Sequence, residues 1–375
     1  MNILAYVHLR NIHNSTGAGR VARQLVEHLS SDETTQLRVL ADPLDHQRIV
    51  HQVGAPWTNY NYHFFNHETS KQQARWILTG SPEAERFWPE AQIVYCTAES
   101  YVPTKTKRLV VTLHDAAYFE EGAHRKNRSF RLQQLKWKLL YRMLDRKADL
   151  FHTVSRFSAE RIAHFMPSLK SRLRVVHNGI PPRFFAPVSP EGETYLREMN
   201  LIDEQFILLP RGLHFRKNAD LVLQAWPHLR SIFPGLKLVV TSHSEPEYVA
   251  KAKALGDSVM LTGFVSDEAL CSLYHAAQVV WFPSLYEGFG LPVLEAMACR
   301  APVVASDSSS LPEVAGSAAW LVSTTSVSQH VEALESLLND AQRRESYQQR
   351  GAIHAASFTW ERSATELRQH FAAIA

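Results

Sequence analysis

Two carboxylates and two glycines in one short stretch of the chain are spaced as a ligand site would need them. Glu287 lies directly before Gly288, Gly290 follows, and Glu295 comes in the next predicted helix. The apolar run 279–282 predicts a buried strand before this loop. A loop that leads into a helix N-terminus offers unpaired N–H groups and the positive end of the helix dipole, which suit phosphate and sugar oxygens. The carboxylates would accept hydrogen bonds from ligand hydroxyls. The alternative is that neither binds a ligand: Glu287 would be a solvated loop acid, and Glu295 would only complement the helix dipole.

Two basic residues follow an earlier predicted strand, 206–209. Arg211 comes just after this strand, and Lys217 precedes the next predicted helix. Arginine holds phosphate as a bidentate fork and lysine as a point charge, so together they fit a diphosphate. Either residue alone is more typical of a surface cation.

His114 and Asp115 follow the predicted strand 109–113. Open α/β sheets bind ligands at the carboxyl ends of their strands, so this position suits a functional imidazole. His114 is therefore a candidate catalytic residue, and a structural histidine is the alternative.

Gly17 and Gly19 form a second glycine-to-helix junction. With Ala22 they match the G-x-G-x-x-A pattern of dinucleotide-binding proteins. In that pattern the first glycine follows the strand almost directly, whereas here a polar loop, residues 8–15, is predicted between them. We expect the two glycines to form a flexible lip near a phosphate or sugar, and an NAD-type oxidoreductase is the competing interpretation.

Length and composition bound the class of protein. The 375 residues favour two domains, and a net charge of +3 is too small to imply a nucleic-acid partner by itself. The cysteines, Cys96, Cys271 and Cys299, are three in number and far apart, which favours neither a disulfide framework nor a zinc site. The chain shows no signal-peptide pattern and no apolar window long enough for a membrane span. We expect a cytoplasmic protein, soluble or held at the inner face of the membrane.

A strongly basic segment begins at Arg125 and ends at Lys147. It carries nine Lys and Arg against one Asp, and its leucines recur at helical spacing beside Trp137 and Tyr141. This pattern predicts a basic amphipathic helix. Its partner would be an anionic membrane surface or a lipid-phosphate acceptor, and the alternative is a domain helix with a solvated basic face.

Short apolar strands alternate with helical patterns in both halves of the chain. This alternation predicts an α/β protein with two doubly wound domains that face each other across a ligand-binding cleft. We expect the first domain at residues 1–180 and the second at 181–355. A C-terminal helix within residues 356–375 would return to the first domain.

Over nearly its whole length the chain resembles the retaining glycosyltransferases of the GT-B fold, specifically family four. The resemblance rests on residues 111–115, 154–158, 177–180 and 262–265, on Arg211 with Lys217 and Asn218, and on a Glu-x7-Glu signature from Glu287 to Glu295. The GT-B fold consists of two Rossmann-like domains.

The resemblance implies a role for each matching position. Glu295 would bind the nucleotide ribose, Glu287 would contact the donor sugar, and His114 would lie close to the reacting sugar. Arg211 and Lys217 would hold the diphosphate. The other donor-binding residues that it implies are Gly17 and Gly19 from the first domain, Gly263, Phe264 and Val265 beside the nucleobase, and Gly288, Phe289, Gly290 and Leu291 at the sugar and phosphate.

The resemblance further implies transfer of a hexose from a nucleotide diphosphate sugar to a glycan or a lipid-linked glycan. Mannose from GDP-mannose is common in chains of this length, and other donors stay open. No Asp-x-Asp pattern occurs in the chain, so we expect no metal cofactor. A nucleotide-sugar epimerase or hydrolase of the same fold is the closest alternative.

Two positions depart from the family pattern. Arg300 stands where the family usually has a glycine at the end of a helix, a position that favours left-handed backbone. We expect Arg300 either to end the helix by other means or to reach into the cleft. The run 241–244 replaces a common glycine-containing loop.

Overall fold

The structure is a computed structural model that describes residues 1–13, 16–120, 122–123 and 128–375. Its strands are β1 (Asn2–Tyr6), β2 (Gln36–Ala41), β3 (Tyr62–Phe64), β4 (Ile93–Cys96), β5 (Arg108–Thr112), β6 (Leu150–Thr153), β7 (Leu173–Val175), β8 (Phe206–Leu209), β9 (Lys237–Thr241), β10 (Val259–Gly263), β11 (Val279–Phe282), β12 (Val303–Ser306) and β13 (Trp320–Val322).

Its α-helices are α1 (Leu9–His13), α2 (Gly17–Ser30), α3 (Pro43–Val53), α4 (Thr69–Thr79), α5 (Arg128–Lys147), α6 (Arg156–Phe165), α7 (Pro190–Glu198), α8 (Ala219–Ile232), α9 (Pro246–Lys253), α10 (Asp267–Ala276), α11 (Leu291–Ala298), α12 (Leu311–Ala315), α13 (Val327–Asn339), α14 (Ala341–Ala355) and α15 (Trp360–Ala372). Short 3-10 turns join several of them.

The first compact unit contains the described part of residues 1–119 together with 128–179 and 359–375. Its seven-stranded sheet has the order β3-β2-β1-β4-β5-β6-β7, and all of its strand pairs are parallel. Residues of β1, β4 and β5 are buried almost throughout because helices cover both faces of a parallel sheet. The order reverses between β1 and β4, so their carboxyl ends flank a switch point where such sheets bind ligands.

The second unit contains residues 180–358, with residues 120 and 122–123. Its six-stranded parallel sheet has the order β10-β9-β8-β11-β12-β13. The chain moves from β8 outward to β9 and β10 and then returns to β11 on the other side of β8. The carboxyl ends of β8 and β11 therefore lie at the switch point of this sheet. The doubly wound α/β character predicted from the sequence is confirmed for each unit.

The C-terminal helix α15 belongs to the first unit. Its residues Trp360 and Phe371 are buried, and the ring of Phe371 lies 5.2 Å from the ring of Tyr95 in β4. The Ser363 hydroxyl donates a 2.6 Å hydrogen bond to the carbonyl of His177. Apolar contacts and this buried hydrogen bond together hold the end of the chain on the first sheet.

Two local expectations need correction or limits. Residues 8–15 were expected to form a polar loop, but residues 9–13 form α1, because Leu9 and Ile12 bury one side of this turn. The basic helix was expected over residues 125–147. Residues 125–127 lie outside the described residues, and the helix observed is α5, Arg128–Lys147. Within the described ranges, no helix combines the length and hydrophobicity that crossing a bilayer requires.

Candidate functional site

Three neighbouring strands of the second sheet, β8, β11 and β12, end at the candidate site. The loop after β8 carries Arg211 and Lys217, and the loop after β11 carries Glu287 and the glycines. The N–H of Leu285 donates a 2.9 Å hydrogen bond to the carbonyl of Arg216, so the two loops are joined by their backbones. The sheet order, which no single motif reveals, brings these separate sequence signals to one edge.

Lys217 and Glu287 form a direct ion pair between the two loops. The Lys217 Nζ contacts Glu287 Oε1, and the side chains are only 13% and 10% exposed. The same Nζ lies 4.8 Å from the centre of the Phe282 ring, a cation–π contact. Removing two charges from water is costly unless they neutralise each other, so each residue holds the other in place.

The surrounding charges decide how this pair is protonated. Burial by itself would raise the pKa of Glu287, but the charges of Lys217 and Arg216 and the hydrogen bonds of the carboxylate hold that pKa below its ordinary range. Burial lowers the pKa of Lys217, and Glu287 is the group that most strongly opposes this shift. Glu287 is therefore ionised near neutral pH, and Lys217 depends on it to stay charged.

Three serines after β12 fix the backbone of the glycine loop. The Ser308 hydroxyl donates to the carbonyl of Ser284 at 3.0 Å, and the Ser309 hydroxyl accepts from the N–H of Glu287 at 2.9 Å. The Ser310 hydroxyl donates to the carbonyls of Glu287 and Phe289, both at 2.9 Å. None of these three serines was identified from the sequence. The run of serines after a predicted strand was the available signal, since short hydroxyl side chains often bond to nearby backbone.

The glycine loop ends at the N-terminus of α11. Gly290 caps this helix with a positive φ of 101°, and a Cβ at this position would lie 2.7 Å from Leu311 Cδ2. The backbone conformation favours glycine here, and a larger residue would also displace the end of the Leu311 side chain. Leu291 begins α11 and is followed by Pro292, which has no N–H group, and the N–H of Val293 donates a 3.0 Å hydrogen bond to the carbonyl of Gly290. The first turn therefore offers a ligand mainly the positive end of the helix dipole.

Glu295 lies on α11 and is almost fully buried, at 2% exposure. Its Oε2 accepts a 3.2 Å hydrogen bond from the hydroxyl of Tyr274 on α10. A buried carboxylate held by a tyrosine is unlike a surface acid that merely complements a helix dipole. Tyr274 was not identified from the sequence, because its role depends on how α10 packs against α11.

Arg211 takes a left-handed backbone conformation with φ of 76° directly after β8. Its charge acts on Lys217, so the two cations share one region. Within the described residues, the Arg211 side chain forms no ion pair, in contrast to Lys217. Gly212 follows, and a Cβ there would lie 1.8 Å from the carbonyl oxygen of His243. The backbone of the β8 loop therefore lies directly against the backbone of residues 241–244.

The expected nucleobase segment lies at the end of β10. Gly263 has a φ of 72°, and its carbonyl accepts a 2.5 Å hydrogen bond from the N–H of Ser242. Phe264 is 78% exposed, which is unusual for a large apolar side chain. Val265 is half-buried beside it. Ser242 itself has a φ of 71°, so a serine takes the left-handed conformation that a glycine in this loop would adopt more easily.

His114, Gly17 and Gly19 belong to the first unit. The N–H of His114 donates a 2.6 Å hydrogen bond to Glu99 Oε1, at the ends of the paired strands β4 and β5. Burial raises the pKa of Glu99, and the neighbouring His114 opposes that shift. Glu99 was not identified from the sequence, although it follows the short apolar run 93–96.

The two glycines of α2 differ in their surroundings. A Cβ on Gly19 would lie 1.8 Å from the carbonyl oxygen of Asn11, whereas a Cβ on Gly17 would meet nothing within 4 Å. The hydroxyl of Thr16 caps the helix by accepting from the Gly19 N–H at 3.0 Å. Gly19 is thus required where α2 passes α1, which is a packing role.

Arg300 is one of the two positions that depart from the family pattern, and the structure shows how the helix ends there. It follows α11 with a φ of 58°, and its N–H donates to the carbonyl of Met297 at 3.0 Å. The side chain is exposed. Arg300 therefore ends the helix in the left-handed conformation that glycine would adopt at lower energy.

No group of histidine, cysteine, aspartate and glutamate side chains in the described part of the chain is arranged to hold a metal ion. Three cationic side chains of the protein lie in the candidate site, Arg211, Arg216 and Lys217.

Comparisons with known proteins agree with this arrangement. The family model described as "Glycosyltransferase Family 4" matches residues 15–184. A second model, "Glycosyl transferases group 1", matches residues 196–354. The O-antigen chain mannosyltransferase B of Escherichia coli is 31% identical over 285 residues, covering 73% of this chain and 72% of the relative. The chain belongs to glycosyltransferase family 4.

Several other proteins are similar to this family 4 enzyme. The serotype-specific mannosyltransferase WbdA of Escherichia coli is 26% identical over 230 residues, which cover 58% of this chain and 28% of WbdA. Anabaena HepE, solved in complex with UDP-glucose, superposes with a TM-score of 0.75 at 16% identity over 100% of both chains. Sucrose-phosphate synthase from Thermosynechococcus elongatus gives 0.74 at 19% identity, also over 100% of both. These structural similarities establish the GT-B fold, and the family makes the chain a hexosyltransferase.

Proposed function

We propose that this enzyme is a retaining glycosyltransferase that moves a hexose, most simply mannose, from a nucleotide diphosphate sugar to a glycan or lipid-linked glycan. The observation that carries the proposal is the buried Lys217–Glu287 pair at the switch point of the second sheet. Two of the relatives described above are named mannosyltransferases, and HepE was solved with UDP-glucose. They support the sugar and the donor class by analogy.

The proposed chemistry needs positive charge beside the leaving group. When the bond from the anomeric carbon to the diphosphate breaks, negative charge develops on the diphosphate, and groups already oriented toward it lower the barrier. In our proposal Arg211 and Lys217 provide this charge, together with the positive end of the α11 helix dipole. They would act in place of a metal ion, so activity should survive treatment with EDTA.

The ion pair gives Glu287 and Lys217 a way to change partners. Glu287 would turn from Lys217 to the hydroxyls of the donor sugar, while Lys217 turns to the diphosphate. Each charge thereby exchanges one opposite or hydrogen-bonding partner for another, so neither is left buried alone. Glu295 would bind the ribose diol, and Phe264, 78% exposed at the end of β10, would lie against the nucleobase.

We assign retention of configuration to substitution on one face of the sugar, with a diphosphate oxygen accepting the proton of the acceptor hydroxyl. His114 would contact the reacting sugar. This route needs no covalent intermediate on the protein. Incubation with a fluorinated donor followed by intact mass spectrometry should show no adduct, and an adduct on Glu287 would replace this mechanism with a double displacement.

An epimerase or hydrolase would share the donor chemistry and differ in the acceptor. A transfer assay with labelled GDP-mannose and a mannose-terminated oligosaccharide separates these activities. A transferase releases GDP in proportion to the labelled oligosaccharide formed. Release of GDP at the same rate without the oligosaccharide would indicate hydrolysis instead.

We further propose that α5 contacts an anionic membrane. Leu132, Leu135 and Leu139 lie at helical spacing and are 71%, 55% and 56% exposed. The opposite face of α5 is buried in the first core through Tyr141 and Leu144. Exposed basic residues flank the three leucines, namely Arg131, Lys136, Lys138, Arg142, Arg146 and Lys147.

This combination favours a lipid surface over a protein partner, since an apolar ridge between cations matches acyl chains below anionic headgroups. Flotation with phosphatidylglycerol vesicles should recover the wild-type protein, and less of it as salt increases. Replacing Leu132, Leu135 and Leu139 by Gln should abolish flotation, whereas Leu78→Gln, at an 83% exposed leucine on α4, should not. Equal recovery with neutral vesicles would contradict the proposal.

A further inference from the structure

Two of the three cysteines come together in the second unit, although their separation in sequence predicted no pairing. Cys271 lies on α10, and Cys299 directly follows α11. The Cys299 thiol donates to the carbonyl of Phe184 at 3.2 Å, and the Cys271 thiol faces the adjacent carbonyl of Arg183 at 4.0 Å. Both sulfurs therefore lie beside neighbouring carbonyls of one short turn, residues 182–185.

The two helices that carry these cysteines, α10 and α11, also pack against each other. Tyr274 and Glu295 are joined across the two helices by a hydrogen bond of 3.2 Å. Cys271 precedes Tyr274 by three residues, and Cys299 follows Glu295 by four. Residues three or four apart lie on one face of a helix, one turn from each other. Each cysteine therefore lies one turn from the Tyr274–Glu295 contact along its own helix.

We propose that Cys271 and Cys299 are a site of reversible oxidation, where a hydroperoxide converts the two thiols to a disulfide and disturbs the adjacent Glu295. Cys271 is half-buried and reachable, whereas Cys299 is 1% exposed. The consequence for Glu295 rests on its proposed role in binding the nucleotide ribose. Formation of the disulfide does not depend on that role.

The chemistry assigns a different part to each sulfur. The neighbouring Cys299 thiol and the charge of Arg183 lower the pKa of Cys271, which favours its thiolate. The Cys271 thiolate attacks the peroxide and becomes a sulfenic acid, while the peroxide is reduced to an alcohol or water. Cys299 then attacks the Cys271 sulfur, hydroxide leaves with the proton of Cys299 as water, and the disulfide forms.

The new bond would act on the candidate site through α11. A disulfide holds its sulfurs about 2.05 Å apart, closer than two thiols in contact, so the helix ends must move together. The N–H of Cys299 donates a 3.1 Å hydrogen bond to the carbonyl of Glu295, which couples the movement to the last turn of α11. The Tyr274–Glu295 hydrogen bond lies one turn away and would change with it.

The first test counts and maps thiols. Treatment with hydrogen peroxide should lower the free thiols of the denatured protein from three to one, and peptide mapping should link Cys271 to Cys299. Cys96→Ser should still form the link, because Cys96 lies in β4 of the first unit. Cys271→Ser and Cys299→Ser should form no internal disulfide. Three thiols remaining in the wild type, or a link through Cys96, would overturn the proposal.

The second test measures GDP binding by calorimetry before and after peroxide treatment. Loss of one hydrogen bond to a charged group predicts weaker binding by about tenfold in the oxidised wild type, restored by dithiothreitol. Peroxide-treated Cys271→Ser should bind as before treatment. Unchanged binding by a fully linked protein would refute the effect on Glu295, and absence of GDP binding in the reduced protein would count against the proposed function instead.

Discussion

Lys217 and Glu287 are joined across two loops of one sheet edge and are shielded from solvent to nearly the same degree, at 13% and 10% exposure. Such a pair adds little net stability, since its attraction mainly offsets the cost of removing both charges from water. A placement that is costly to maintain and unnecessary for packing is typical of a functional site.

The first prediction concerns the stability of the ion pair. Lys217→Met should lower the free energy of unfolding by about 3 kcal/mol, because it leaves the Glu287 carboxylate buried without its partner. The double variant Lys217→Met/Glu287→Gln should recover more than half of this loss, since neither remaining group is charged. Urea denaturation followed by tryptophan fluorescence measures both. If the loss in the double variant equals the sum of the losses in Lys217→Met and in Glu287→Gln alone, the two residues are not coupled.

A second prediction separates the two glycines of α2. Gly19→Ala should destabilise the first unit by more than about 1 kcal/mol, because its Cβ would overlap the carbonyl of Asn11. Gly17→Ala should be neutral or slightly stabilising, since alanine favours the helix and meets nothing nearby. Thermal denaturation of the two variants and the wild type measures these changes in stability. Equal destabilisation would contradict the packing role assigned to Gly19.

Arg300 provides a third prediction. Arg300→Gly should raise the free energy of unfolding by about 1 kcal/mol, because glycine adopts a positive φ without steric cost. Arg300→Ala is the matched control. It removes the same side chain, keeps the strained backbone and should give no gain. A gain from alanine as large as from glycine would locate the effect in the side chain.

The fourth prediction concerns acid pH. Burial lowers the pKa of His152 to about 3, while Thr112 and the carbonyl of Val176 hydrogen-bond to its ring. The unfolded chain binds a proton near the ordinary value of 6.5 and the folded chain does not, so stability falls as pH falls from about 6.5 toward 3. His152→Gln should reduce this slope by up to about 1.4 kcal/mol per pH unit. An unchanged slope would show that His152 does not contribute to it.

Much of the second unit could be predicted from its sequence. The strands at 206–209 and 279–282 are found as predicted, because buried parallel strands are short apolar runs ended by turn residues. The first unit was harder. The edge strand β3 has only three residues and no alternation of apolar and polar side chains, so local sequence carries little signal for it.

The candidate site was predictable in its residue types but not in its contacts. Arg211, Lys217 and Glu287 stand out as charged residues beside predicted strand ends. Their pairing depends on β8 lying next to β11, which is a property of the sheet order. Ser309, Tyr274 and Glu99 were missed for the same reason, since each acts through a residue distant in sequence.

Calorimetric titration with GDP-mannose tests the central claim most directly. The wild type should bind with 1:1 stoichiometry, and Lys217→Met and Glu295→Gln should each weaken binding by at least about tenfold, the loss expected for one charge-assisted hydrogen bond. Asp203→Asn, at an exposed position away from the sheet edge, should bind like the wild type. Full-strength binding by the folded Lys217→Met variant, or no binding of GDP-mannose, UDP-glucose or ADP-glucose by the wild type, would contradict the account.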